Sequence, residues 1–119
     1  KQCVRAADDF GKKVVVDMIC VDNIPAKVTQ MEELGAHILA VHTGADQQAE
    51  GRTPLDDLKV MTDGAKKAKI AVAGGISSKT IDKYVALKPD IIIVGSAITR
   101  AADPVEEARL IKEAIKKSQ

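Results

Sequence analysis

Four short stretches of this chain carry residue types that could do chemistry together. Asp17 lies inside the run Val14-Val15-Val16-Asp17-Met18-Ile19, and His42 closes His37-Ile38-Leu39-Ala40-Val41-His42. Gly74 and Gly75 end the run Ala71-Val72-Ala73, and Gly95 and Ser96 end Ile91-Ile92-Ile93-Val94. In the last three an apolar run stops abruptly at a polar or small residue, the pattern of a buried strand opening into a functional loop. A carboxylate and an imidazole at such strand ends can share and move protons. Glycines there leave backbone N–H groups free to approach an anion, and Ser96 adds a hydroxyl. Two glycine strand ends in succession near the C-terminus read as a phosphate site at the mouth of a (βα) barrel. Asp17 falls within an apolar run, where an unpartnered carboxylate is costly, so it must be paired or line a polar cavity. His37, at the opposite end of its strand from His42, reads as structural. A polar loop over 43–53 is long for a strand-to-helix connection and offers Asp46, Gln47 and Arg52 as further substrate contacts.

The elements that must hold these residues alternate regularly. Val4, Ala7 and Phe10 recur at helical spacing and stop at Gly11. A strand over 14–19 follows, then a helix capped by Asp22 or Asn23, with Pro25 in its first turn and Gly35 at its end. The strand 37–42 and the polar loop lead to a helix that starts at Pro54 and runs to about Ala68. Lys69 to Ala73 is the third strand, and Ser77 or Ser78 caps the next helix, which Pro89 ends. Asp90 to Val94 is the fourth strand. Asp103-Pro104 opens a last helix with Val105, Ala108, Ile111 and Ile115 on one face. Helix and strand thus alternate with no hairpin signal, which predicts a parallel α/β sheet. Four strands fit an open doubly wound sheet or half of an eight-stranded barrel, and the two glycine strand ends favour the barrel.

Composition narrows the function. The chain has 119 residues, a net charge of +1, 45% apolar residues and only 2% aromatics. A core built from Ile, Val, Leu and Ala suits parallel strands covered by helices. So balanced a charge, with one Phe, one Tyr and no Trp, excludes electrostatic or stacking recognition of nucleic acid and of anionic membranes. No apolar run approaches the roughly 18 residues of a membrane span, and no secretory leader opens the chain. Cys3 and Cys20 match no metal or redox spacing and read as reduced thiols of a cytoplasmic protein. Phosphate-binding P-loops, GxGxxG turns and GxSxG elbows are absent, and Asp17 with His42 supplies too few ligands for a local metal site.

The segments 14–19, 40–49 (Ala-Val-His-Thr-Gly-Ala-Asp-Gln-Gln-Ala), 70–76 (Ile-Ala-Val-Ala-Gly-Gly-Ile) and 90–99 (Asp-Ile-Ile-Ile-Val-Gly-Ser-Ala-Ile-Thr) resemble the 3-hexulose-6-phosphate synthases of the orotidine-5′-phosphate decarboxylase suprafamily. The resemblance runs along essentially the whole chain, and covers the C-terminal half of that family's (βα)8 TIM barrel, so residues 1–119 are expected to be half of a single barrel domain. It implies an aldehyde-lyase that condenses formaldehyde with D-ribulose 5-phosphate, through an enediolate and with Mg²⁺, in a cytoplasmic homodimer. By motif, Asp17 matches the fifth-strand carboxylate that contacts substrate. His42 matches the sixth-strand histidine, a proton donor or acceptor. Gly74, Gly75, Gly95 and Ser96 match the phosphate-binding ends of the last two strands. The related 3-keto-L-gulonate-6-phosphate decarboxylases carry an Arg where this chain has Ser96 and a basic residue where it has Ala45, which favours the synthase branch. The family's Asp-x-Lys-x-x-Asp motif, which supplies a Mg²⁺ ligand and the lysine that stabilises the enediolate, is absent from the 119 residues. These residues alone are therefore expected to grip a phosphorylated sugar without turning it over. Two other readings are a non-catalytic sugar-phosphate-binding half-barrel and a flavodoxin-like domain.

Overall fold

Capping chemistry sets the ends of the main helices. The computed structural model describes residues 1–43 and 45–119, with the side chain of Ala45 also outside it; Gly44 of the His-Thr-Gly segment lies outside the described residues. Helix α1 (Gln2–Asp9) gives way to Gly11, whose φ of +62° turns the chain back toward the sheet. In α2 (Ile24–Glu33) the side chain of Asn23 accepts from the Ala26 N–H at 3.1 Å. A short helix α3 (Ala45–Ala49) interrupts the segment expected to be a loop, whose Asp, Gln and Ala residues tolerate a helical turn. Thr53 caps α4 (Pro54–Gly64) through Asp56 N–H, and Asp103 caps α7 (Pro104–Lys117) through Glu106 N–H. All three capped helices have a proline in the first turn, where its missing N–H costs no bond.

Two expectations about helix ends fail for identifiable reasons. Helix α4 stops at Gly64 because the N–H groups of Lys66, Lys67 and Ala68 all turn to one carboxylate oxygen of Glu32 instead of continuing the helix. Neither Ser77 nor Ser78 caps α5 (Ile81–Val85), whose N-cap is Thr80 without a side-chain bond; Ser78 is drawn to Glu107 on α7. A further four-residue helix, α6 (Ser96–Thr99), starts where the fourth strand ends.

The strands β1 (Val15–Asp17), β2 (Ile38–Val41), β3 (Lys69–Ala73) and β4 (Ile91–Ile93) form one parallel sheet in the order 1-2-3-4. The first is shorter than its β-branched run. Its ladder extends to the Met18 N–H, bonded to the Ala40 carbonyl at 3.0 Å, before the chain turns through Cys20 at φ +58°.

Side-chain alternation gives the sheet two unlike faces. Leu39, Val41, Ile70 and Val72 are buried with Ile24 and Val28 of α2, Leu58 and Met61 of α4, Ile81 and Tyr84 of α5 and Ile111 of α7. Val105, expected on the packed face of α7, is exposed. On the other face Ile38, Ala40 and Ala71 form a small buried cluster of their own, while Val15 and Ile93 stand 53% and 46% exposed. Consecutive strand order with the large core on one face describes a barrel wall. A doubly wound sheet reverses its order and covers both faces, so the flavodoxin-like reading does not hold. Among the described residues no helix is long and apolar enough to cross a membrane.

Candidate functional site

Register decides which residues meet. Asp17 lies level with Ala40, Ala40 with Ala71, and Ala71 with Ile91. Two residues further along the same face come His42, Ala73 and Ile93, and two further again Gly75 and Gly95. The open face thus carries Asp17, His42 and the glycines at rising levels toward the C-terminal ends of the strands. Alanines 40, 71 and 73 form a low floor that leaves room above it. Ligand sites of parallel α/β folds lie at this end.

Asp17 and His42 are in contact. The ring Nδ1 of His42 lies 3.0 Å from Oδ2 of Asp17, and Oδ1 accepts from the Ile19 N–H at 2.9 Å. An ionised carboxylate only accepts, so Nδ1 carries the proton of this contact, and in a neutral ring the lone pair is on Nε2. The side chains are 54% and 40% exposed, so Asp17 escapes the burial cost that its place in an apolar run suggested. It occupies the last position of β1 and turns into the open space above the sheet.

Gly74 and Gly75 adopt φ of +106° and +67°, which aim successive N–H groups in directions an L-residue rarely allows. A Cβ built at Gly74, Gly75 or Gly95 would meet nothing within 4 Å, so the space before them is open to a ligand. Gly95 caps α6 and Ser96, exposed, is its first residue. The loop after Gly75 is held by Ser78, whose N–H and hydroxyl donate to the two oxygens of Glu107 at 2.8 Å each.

His37 lies at the far end of β2 and belongs to the frame: its Nδ1 accepts from the Val14 N–H at 3.1 Å and its Nε2 donates to Asp8 at 2.8 Å. Of the loop candidates, Asp46 is exposed and Arg52 is committed elsewhere, to Asp57 and to the Val21 carbonyl. Asp57 and Thr43 are buried polar residues that periodicity did not single out. Cys3 and Cys20 are free, exposed thiols. Among the described residues no three His, Cys, Asp or Glu side chains gather as a metal site, and both oxygens of Asp17 are already engaged. This arrangement does not by itself fit Mg²⁺, which asks for several free oxygen ligands.

Comparison with known proteins agrees with this fold. The family described as Orotidine 5'-phosphate decarboxylase / HUMPS matches residues 1–111. A 3-hexulose-6-phosphate synthase of Staphylococcus epidermidis is 47% identical over 115 residues, covering 97% of this chain and 55% of the relative. The crystal structure of 3-hexulose-6-phosphate synthase from Salmonella typhimurium superposes with a TM-score of 0.91 at 60% identity, over 98% of this chain and 56% of that one. KGPDC from Streptococcus mutans, at 21% identity, shares the fold with a TM-score of 0.72, over 98% of this chain and 52% of that one. The chain spans about half the length of the curated relatives it matches.

Proposed function

The chain belongs to the orotidine 5'-phosphate decarboxylase / HUMPS family, and from that premise we propose that it is the phosphate-gripping, C-terminal half of a 3-hexulose-6-phosphate synthase-type aldehyde-lyase. The substrate is ribulose 5-phosphate, to which formaldehyde adds through an enediolate. The observation that carries this reading is the 3.0 Å contact between Asp17 and His42 on adjacent parallel strand ends, one level below the positive-φ glycines. The glycine turns at Gly74, Gly75 and Gly95, with the Ser96 hydroxyl, grip the phosphate. Asp17 orients His42 and stabilises its charged form, so that Nε2 can take a proton from the sugar and return it. Identity to synthases at 47% and 60% supports the synthase branch, as do Ser96 and Ala45 in the sequence.

The Mg²⁺ that the family resemblance implies is assigned to ligands outside these residues, and the enediolate-stabilising lysine likewise. The proposed active assembly is a homodimer in the cytoplasm. The exposed apolar residues Val15 and Ile93 support a second reading in which the 119 residues act as a sugar-phosphate-binding half that associates with another half.

Calorimetric titration of the chain with ribulose 5-phosphate, with and without Mg²⁺, tests the reading. Binding that does not need the metal is expected, with no fixation of formaldehyde. Failure to bind any sugar phosphate would overturn the reading, and turnover near that of a full barrel would overturn the division between halves.

A further inference from the structure

Asp57 stands in the first turn of α4 and is only 7% exposed, yet it does not cap that helix, since Thr53 already does so, with its hydroxyl held by Asp56. Its carboxylate is used elsewhere. Oδ2 accepts from the hydroxyl of Thr43 at 2.8 Å and Oδ1 from Nε of Arg52 at 2.7 Å. The other arm of the Arg52 guanidinium donates to the Val21 carbonyl at 2.8 Å, and Gln48 donates to the Thr43 carbonyl at 2.9 Å. A buried carboxylate is tolerated when donors satisfy it, and a guanidinium fixes direction as well as charge.

What this network joins gives it meaning. Thr43, 2% exposed, is the residue after His42. Val21 closes the turn that follows Asp17, its N–H donating to the Met18 carbonyl at 3.3 Å. β2 ends at Val41 and the last ladder bond of β1 is that of the Met18 N–H, so His42 lies beyond the ladder and Asp17 one residue from its end. Nothing in the sheet pins the two side chains to one another. The Asp57 network reaches both connecting segments without touching either side chain. Catalytic pairs need their spacing held to about half an ångström by just such supporting bonds.

We propose that Asp57, acting through Arg52 and Thr43, is a positioning residue that sets the contact between Asp17 and His42. The proposal deepens the reading of those two residues as the reactive pair, and rests on it. Its test reads the pair directly, with no substrate present, so that failure to bind a sugar phosphate and failure of the positioning role are separate results. The ring ¹⁵N shifts of His42 are recorded in the 119-residue chain and in Asp57→Asn, Thr43→Val and Thr43→Ser, with His37 as the internal control. The parent and Thr43→Ser, which keeps the hydroxyl, are expected to show the Nδ1–H tautomer. Asp57→Asn and Thr43→Val are expected to lose that signal to a mixture of tautomers while the shifts of His37 stay in place. Unchanged His42 shifts in folded Asp57→Asn and Thr43→Val would overturn the proposal. If Asp57→Asn does not fold, Thr43→Val decides. If Thr43→Val also unfolds while Thr43→Ser does not, the network holds the fold rather than the pair, and the proposal fails.

Discussion

Ser78 holds Glu107 through two groups at once: its backbone N–H donates to one carboxylate oxygen and its hydroxyl to the other, both at 2.8 Å. The bond ties the loop after Gly74 and Gly75 to α7, which packs against α6, the short helix that Gly95 caps. It therefore couples the two strand ends assigned to phosphate. The N–H and hydroxyl of Ser78 hold the Glu107 carboxyl below its usual 4.5, and the Lys79 charge adds to them against slight desolvation. A lowered carboxyl stabilises the fold above its ordinary value and loses that effect as pH falls through the lowered one. Glu107→Gln is thus expected to lower the melting temperature at neutral pH, by a margin that shrinks below pH 4.5, and to weaken phosphate binding. An equal effect from Glu106→Gln, whose carboxylate meets only Arg109 on its own helix, would deny the coupling.

Glu32 does comparable work at the other end of the sheet. Partial burial would raise its carboxyl, but the N–H groups of Ala68, Lys67 and Lys66, at 2.8 to 2.9 Å, together with the Lys67 charge, outweigh this and hold it below 4.5. Glu32→Gln keeps the shape and removes the charge. It is expected to cost about 1 kcal/mol at pH 7 in urea unfolding, discounted for the site's exposure. The difference should shrink as pH drops below 4.5 and close once pH has fallen through the lowered value, where both proteins carry a neutral group.

Gly74 tests whether the glycine turn is needed for its torsion or for its space. At φ +106°, with nothing within 4 Å of the place a Cβ would occupy, the cost of a side chain is torsional. Gly74→Ala is expected to lose about 1–3 kcal/mol of stability and, because the N–H groups turn away, about tenfold in phosphate affinity. Gly64→Ala, at the end of α4 with equally open space and no positive φ, is expected to be neutral or slightly stabilising. Chemical denaturation and phosphate titration of both variants read the contrast.

Much of this was legible from residue types. Asn23, Pro54 and Asp103-Pro104 announce helix starts because capping and proline effects are local. Asp17 announces itself as a carboxylate inside an apolar run, and His42 because it ends one. The rest depends on partners far along the chain. β1 is cut short because a ladder needs a neighbour, whatever the propensity of Val14 and Ile19. Ser78 leaves its capping role for a carboxylate 29 residues away. Asp57, in Leu55-Asp56-Asp57-Leu58, looks like one more solvated acid on a helix, and only the return of Arg52 and Thr43 to it makes it a buried hub. The helix α3 could have been read, since Asp46 to Glu50 contains no glycine or proline.

The two histidines give the sharpest contrast, because both face an aspartate at about the same distance. His37 meets Asp8 at 2.8 Å and His42 meets Asp17 at 3.0 Å. They differ in what the second ring nitrogen does. In His37 it accepts from the Val14 N–H, so both nitrogens are spent on joining α1, the start of β1 and β2. In His42 the ring is 40% exposed and, among the described residues, only Nδ1 has a partner. His37→Ala removes an acceptor from a half-buried backbone N–H and is expected to cost about 1–2 kcal/mol, while sugar-phosphate affinity is retained wherever the protein remains folded. His42→Ala cuts an exposed contact and is expected to leave stability within about 0.5 kcal/mol while weakening ribulose 5-phosphate binding. Melting curves and calorimetric titration on the same two variants measure both quantities. A large stability loss in His42→Ala with unchanged affinity would move His42 into the frame beside His37 and leave the site without its base.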